Sequence, residues 1–315
     1  MNIVFIGASG FGLRCLEQII NLDNCKVAGV VTAPQVFSIS YKPSGVKNVL
    51  YADMSTLCKE NDIPCAVMEG AMSDPALLEQ VQTWKPDVFI VSGWYHMVPK
   101  SWRKLAPAYG LHASLLPDYS GGAPLVWAII NGEEKTGISF FQFADGVDNG
   151  PLVGQEETVI SYEDTIKTLY ARIEDLGLKL LKDHVPKLAD GSAEFTVQNE
   201  NHRRLYPQRS PEDGVIDWSW PAKQVYDFVR AQTKPYPGAF TVWNDRKVTI
   251  WSCDVSIETY SEVVAGQVIT EKDEVLIVCG DNKAIKIYSL AVDGVDACPA
   301  DLNSFLETAN RSKTA

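Results

Sequence analysis

The sequence predicts an α/β protein in which a parallel-sheet domain precedes a smaller, mainly β domain. Three patterns predict it. Residues 2–6 are an apolar run ending at Gly7; Leu13, Leu16, Ile19 and Ile20 follow at helical spacing; residues 27–31 form a second apolar run. A strand, a helix and a strand in that order pack as a right-handed unit, which favours a parallel sheet. After residue 239 the pattern changes to short strand-like runs separated by turn residues, which suggests a small β-barrel.

The elements follow in order. Gly7-Ala8-Ser9-Gly10-Phe11-Gly12 lacks the Gly-x-Gly-x-x-Gly spacing of a dinucleotide site, and no acidic residue ends the second strand at Val30-Val31-Thr32-Ala33. The glycines are therefore assigned a structural role in tight turning and close packing. Residues 34–50 have no clear period and read as a long loop. Helical patterns cover 53–61 and 74–84, the latter opened by the cap residue Asp74 and Pro75. Residues 88–91 read as a buried strand running into Ser92, Gly93, Trp94, Tyr95, His96, Met97 and Val98. Ligands of open α/β sheets bind beyond the carboxyl ends of strands, so this loop is a binding candidate by position.

Gly110-Leu111-His112 reads as a strand end and 121–131 as a helix beginning near Pro124. Residues 138–143 form a strand that delivers Asp148 in the loop after it, and 163–182 a strongly periodic helix. Residues 184–210 are a polar connector. It carries His184, His202 and the arginines Arg203, Arg204 and Arg209, read as solvated with a minor part in contacting an anionic ligand. Beyond it lie one amphipathic helix, 221–231, and strand runs at 239–243, 247–251, 263–269, 275–279 and 284–290. A frayed tail covers 307–315.

At 315 residues, 46% hydrophobic and 22% charged, the chain is long enough for two cores and ordinary for a soluble protein. No apolar run reaches the roughly 18–20 residues that span a bilayer, and the start lacks the basic region of a signal peptide. A net charge of −12 argues against a nucleic-acid grip, which concentrates positive charge. Seven scattered cysteines without C-x-x-C pairs argue against a disulfide framework or zinc knuckle and favour a reducing cytoplasm. No metal cluster is apparent.

His112 and Asp148 carry the chemistry. An imidazole exchanges protons near neutral pH, and a neighbouring carboxylate can fix its tautomer and raise its basicity. Taken alone, two residues 36 positions apart prove nothing, and Asp-Asn-Gly is a common turn. Their surroundings are more specific. His112-Ala113-Ser114-Leu115-Leu116-Pro117 is followed by Gly121-Gly122-Ala123-Pro124, Trp127, Asn131-Gly132 and Gly146-Val147-Asp148-Asn149-Gly150. That order and spacing resemble the folate-dependent formyltransferase family. Residues 210–218, Pro221-Ala222, Val229-Arg230-Ala231 and Pro235-Tyr236-Pro237-Gly238-Ala239-Phe240 resemble its second domain, most nearly that of the sugar N-formyltransferases.

The resemblance implies a Rossmann-like catalytic domain over 1–185, a linker over 186–208 and an OB-like C-terminal domain over 209–306. It implies His112 as general base and acid, Asp148 as the group that positions it, and a 92–98 loop that holds the pterin of 10-formyltetrahydrofolate. The active-site loop is Ser114, Leu115, Leu116, Pro117, Gly121 and Gly122, with Ser114 shaping the turn because no Gly-x-Ser-x-Gly elbow surrounds it. The acceptor is an amine. Residues 209–315 hold 16 Asp+Glu against 11 Lys+Arg, which favours a nucleotide-linked amino sugar over methionyl-tRNA. An NAD-dependent oxidoreductase and a binding-only folate protein are weaker alternatives, and a homo-oligomer is left open.

Two positions depart from the pattern. Gly110 stands where the family usually has an asparagine that donates to the formyl oxygen; loss of such a donor typically costs on the order of a hundred- to a thousandfold in rate. Tyr95, His96 or an ordered water are candidates to replace it. The hydrolase domain of 10-formyltetrahydrofolate dehydrogenase also lacks the asparagine, which keeps hydrolysis open. Ser120 stands where an arginine is frequent.

Overall fold

The structure, a computed structural model, describes residues 1–39, 42–271 and 274–302; the expected tail at 307–315 lies outside them. The chain opens with β1 (Asn2–Ile6), α1 (Gly10–Ile20) and β2 (Lys26–Thr32). Ser9 caps α1, its Oγ accepting from the Gly12 N–H at 3.1 Å. Gly12, Cys15, Leu16 and Ile19 form its buried face. A hairpin of β3 (Val36–Ile39) and β4 (Lys42–Lys47) replaces the long loop expected over 34–50. It pairs Val36 with Lys47 and Phe37 with Val46, and it is a separate two-stranded sheet. Its sequence carries no clear alternation, so no period-two signal marked it.

Next come α2 (Ser55–Glu60), β5 (Cys65–Val67), α3 (Pro75–Thr83), β6 (Val88–Val91), α4 (Lys100–Arg103) and β7 (Ala108–His112). Asp74 caps α3 by accepting from the Ala76 N–H at 3.0 Å. Then follow β8 (Ser120–Gly121), α5 (Pro124–Ile130), β9 (Lys135–Gln142), β10 (Leu152–Val159), α6 (Ile166–Asp190) and β11 (Leu205–Tyr206). α6 continues eight residues beyond the periodic segment read from the sequence and crosses Pro186, where a connector was expected. Leu180, Leu181 and Val185 stay fully buried, and that apolar stripe outweighs the one backbone bond a proline removes. His184 consequently lies on a helix, its ring packed over Gly154 where a Cβ would come within 2.4 Å of Nε2.

The main sheet has seven strands in the order β10-β9-β7-β6-β1-β2-β5. The β5-β2-β1-β6-β7 pairs are parallel and β9 is antiparallel to β7. Strand order reverses between β1 and β6, the point where such sheets open a crevice. Here it is closed by backbone: the Ala8 N–H donates to Gly93 O at 3.1 Å. A Cβ on Gly7 or Gly12 would stand 2.5 or 2.8 Å from Ser92 O. The glycines let loop 92–93 seat directly on the first turn.

The remaining elements are α7 (Ala222–Arg230), β12 (Ala239–Trp243), β13 (Arg246–Thr259), β14 (Val268–Glu271), β15 (Glu274–Val278), β16 (Lys283–Val292) and β17 (Val295–Ala297). The antiparallel sheet runs β12-β13-β16-β15-β14, with β17 also on β16. Asn244 and Asp245 both take positive φ, 51° and 62°, in the tight turn between β12 and β13. β13 is far longer than the expected 247–251 and carries three register shifts, which let one strand bend through the sheet. The expected strand at 263–269 begins later, at Val268, because Gly266 turns at φ 85° against Trp218.

By contacts the chain divides into two compact units. One comprises Met1–Gly121, Thr136–Thr158 and Ala171–Tyr206; the other comprises Gly122–Lys135, Val159–Tyr170 and Pro207–Ala315. The first is built on the parallel sheet, with Val4, Ile6, Val31, Phe89 and Trp102 in its core. The second buries one face of α7, including Val225, Phe228 and Val229, against Val248, Ile250, Ile277 and Ile285 of the antiparallel sheet. Among the described residues no helix is long and apolar enough to cross a membrane.

Candidate active site

His112 ends β7, and Asp148 sits in the turn after β9. The antiparallel register of β7 and β9 pairs Gly110 with Phe141 and His112 with Ser139, which delivers both groups to one place. His112 Nδ1 lies 3.7 Å from Asp148 Oδ2, with the imidazole 12% and the carboxylate 23% exposed. His112 Nε2 is 2.8 Å from Tyr119 O. A carbonyl cannot donate, so this bond assigns the proton of the neutral ring to Nε2 and leaves Nδ1 as the basic atom. The Tyr119 carbonyl thus orients one ring nitrogen while Asp148 faces the other. Asp148 faces Nδ1, where an imidazolium would form, and its Oδ2 accepts from the Gly121 N–H at 2.8 Å.

The loop between these groups is anchored from below. Ser139 Oγ donates to Ser114 O at 2.6 Å and accepts from the Leu116 N–H at 3.1 Å and Gln155 Nε2 at 2.8 Å. Ser114 is buried and its Oγ donates to Asp118 O at 2.7 Å, so the hydroxyl closes a turn. Leu115 packs tightly over Gly137, where a Cβ would meet its Cδ2 at 2.5 Å. Leu116 is buried and joined to Pro117 by a cis peptide. Gly121, at φ 95°, passes so near Tyr206 O that a Cβ would stand 2.4 Å from it; Gly122 would meet the Gln208 backbone at 2.5 Å.

The Gly110 departure has a structural counterpart. A Cβ at this position would lie 2.4 Å from Cε1 and 2.5 Å from Cζ of Phe143. The ring stands in the space the first carbon of an asparagine side chain would need. Of the other donors suggested, Tyr95 turns its hydroxyl to Asn48 Oδ1 at 3.1 Å. His96 packs between Phe37 and Trp94, at 4.9 and 5.3 Å between ring centres. Its Nε2 is buried without a hydrogen-bond partner, and burial pushes its imidazole below the ordinary histidine range.

β6 and β7 pair Val91 with Gly110, so loop 92–98 leaves the sheet beside the strand that ends in His112. Within it Ser92 and Val98 are buried and Gly93 turns at φ 61°, while Tyr95 and Met97 are 50% and 72% exposed. Trp94 Nε1 donates to Met72 Sδ at 3.1 Å. Among the described residues no group of three or more His, Cys, Asp or Glu side chains is placed to hold a metal ion.

Sequence reasoning missed several residues at this site. Asn48 is buried, donates to Ala8 O at 2.9 Å and accepts from Tyr95. Gln198 and Arg203 reach the Asp148 turn. The arginines read as solvated are engaged. Arg204 forms a bidentate pair with Asp118 and lies 4.7 Å over Tyr119, which stacks on Tyr206 at 4.5 Å. Arg209 lies 4.6 Å over Trp127 and donates to Gln232 Oε1 at 2.7 Å. No local pattern announces such long-range pairings; only the excess of arginine in a polar segment hinted at them.

A histidine whose Nδ1 faces a carboxylate, with a rim of backbone groups, lies beyond a parallel sheet, an arrangement able to exchange a proton. Comparison with known proteins specifies the family. Residues 1–185 match the family described as formyl transferase, and residues 209–307 match the formyl transferase C-terminal domain. The chain is 30% identical over 297 residues to methionyl-tRNA formyltransferase of Caldanaerobacter subterraneus subsp. tengcongensis, covering 93% of each. It belongs to the formyl transferase family and is an N-formyltransferase.

Solved structures that share the fold include the following two. The N-formyltransferase from Helicobacter canadensis in complex with folinic acid and dTDP-3-aminofucose superposes with a TM-score of 0.65 at 16% identity, over 90% of this chain and 98% of that one. HypX from Aquifex aeolicus in complex with tetrahydrofolic acid superposes with a TM-score of 0.62 at 18% identity, over 95% of this chain. The present chain spans about half of HypX, 46% of its length.

Proposed function

We propose that this enzyme transfers a formyl group from 10-formyltetrahydrofolate to the primary amine of a nucleotide-linked amino sugar. The carrying observation is the Nδ1 of His112, left unprotonated in the neutral ring by the Nε2–Tyr119 bond and facing Asp148 at 3.7 Å. In this reading residues 1–185 are the catalytic domain, 186–208 the linker and 209–306 the C-terminal domain. His112 Nδ1 takes the proton of the attacking amine and returns it to the leaving folate nitrogen. Asp148 stabilises the imidazolium between those two events. Fixing both reactants over one basic atom supplies much of the acceleration.

Loop 92–98 would hold the donor, which supplies the formyl group itself. The residues there fit such a ligand: exposed Tyr95 and Met97 offer surface, and His96 Nε2 is a buried polar atom awaiting a partner. The acidic balance of residues 209–315 supports a small acceptor over tRNA, and a sugar N-formyltransferase is among the structural neighbours. Seven free cysteines support action in the cytoplasm.

One observation favours a second reading, hydrolysis of the donor. Phe143 stands where the first carbon of the side-chain donor that holds the formyl oxygen in transferases would be. Incubation with 10-formyltetrahydrofolate and a panel of UDP- and dTDP-amino sugars plus initiator methionyl-tRNA separates the readings. Mass spectrometry is expected to find one amino sugar heavier by the mass of CO. Formate release without a formylated product would establish the hydrolase. His112→Ala should lower turnover at least about a hundredfold while the domain stays folded; unchanged turnover would reject the base.

A further inference from the structure

Asp148 is a non-glycine residue at φ 49°, a left-handed conformation that must be held in place. The hold comes from a distant segment. Gln198, only 6% exposed, donates through Nε2 to Asp148 O at 2.8 Å and to Gly150 O at 2.6 Å. Arg203 Nη1 donates to Val147 O at 2.9 Å. Three carbonyls of one short turn are thus gripped by two side chains.

The same guanidinium reaches the other side of the site. Arg203 Nη1 donates to Ser120 Oγ at 2.6 Å, and Ser120 lies between Tyr119, whose carbonyl binds His112, and Gly121, whose N–H binds Asp148. Arg203 is itself fixed by Glu200, at 2.6 Å from Nε and 2.9 Å from Nη2, with Gln198 Oε1 at 3.4 Å. Its charge is neutralised by Glu200, so its work is geometric. The serine at position 120 belongs to this arrangement: a small hydroxyl is what the guanidinium tip meets there.

We infer that Gln198 and Arg203 are positioning residues that clamp the Asp148 turn to the His112 loop and so set the imidazole–carboxylate geometry. This rests on the proposed role of His112 and Asp148. The clamp makes no contact with loop 92–98 among its hydrogen bonds, so its loss should spare folate binding. A misplacement of about 1 Å at a reacting centre can lower a rate about a hundredfold.

The test is a set of double-mutant cycles on the full chain. Gln198→Ala and Arg203→Ala should each lower kcat about tenfold to a hundredfold, with KM and affinity for a folate analogue changed less than about threefold. In an Asp148→Asn background neither should lower kcat further, because the geometry they maintain has lost its function. Losses that multiply with Asp148→Asn, or that track folate affinity, would assign the clamp a merely structural role and overturn the inference. Thermal unfolding of each variant is measured in parallel; if Arg203→Ala unfolds, Gln198→Ala and the charge-keeping Arg203→Lys, expected to be intermediate, decide. Full activity of Asp148→Asn would instead refute the catalytic reading, and the clamp with it.

Discussion

Phe143 stands in the side-chain space of residue 110: its Cε1 lies 2.4 Å from where a Cβ on Gly110 would be. The loss of the usual asparagine and the position of an aromatic ring 33 residues away are one structural fact. With the ring in this position, a larger residue at 110 requires Phe143 to move.

Restoring the asparagine alone should therefore fail. Gly110→Asn is expected to lower stability by about 1–3 kcal/mol through overpacking and to leave formyl transfer no faster. In a Phe143→Ala background the same asparagine should be much better tolerated. Urea unfolding of the four proteins in this cycle checks the prediction; a single variant as stable as the parent would sink it.

Ser139 is the node beneath the active-site loop. Ser139→Ala would leave the buried Leu116 N–H and Ser114 O without the hydroxyl that joins them. The expected loss is about 1–3 kcal/mol, with a fall in kcat as the turn carrying Tyr119 loosens. Equal stability and activity would show that the loop is held by other contacts.

In the second unit Asp227 and Arg230 form a buried pair, 4% and 7% exposed, at 2.8 Å. Arg230 Nη1 also donates to Ser161 O at 3.0 Å and Asp164 O at 2.6 Å. Asp227→Ala should cost about 3–5 kcal/mol by leaving the guanidinium buried and uncompensated. Replacing both residues by apolar side chains should cost less than that single change, as read from denaturant midpoints.

Acid should destabilise the fold through two histidines. Burial lowers the His96 imidazole from 6.5, and burial followed by nearby Lys187 lowers His184, against the opposing pull of Asp183 and Glu156. In the unfolded chain both protonate near pH 6.5, whereas the folded protein resists. The unfolded state therefore binds more protons as pH drops below about 6.5, and stability falls with it; above that value the contribution is constant. His184→Gln should flatten the decline in denaturant midpoint between pH 7 and 5. A variant with an unaltered slope would remove His184 from this account.

Much of the fold was legible because one face or both of each element is buried. The continuous apolar runs of β1 and β6 and the helical periods of α1, α6 and α7 follow from burial, and the cap at Asp74 from its local hydrogen bond. The hairpin at β3–β4 was not legible, because a separate two-stranded sheet imposes no clear hydrophobic period. The end of α6 was misplaced because Pro186 is a local breaking signal, and only the tertiary burial of Val185 outweighs it.

The sequence by itself determined the α/β class, the strand–helix–strand opening and the family, since these reside in local pattern and motif. Tertiary structure alone decided which nitrogen of His112 is basic, that Phe143 stands in the side-chain space of residue 110, and that Gln198 and Arg203 grip the Asp148 turn. Each of those depends on hydrogen-bond direction or on contact between segments tens of residues apart, and such information exists only once the chain has closed on itself.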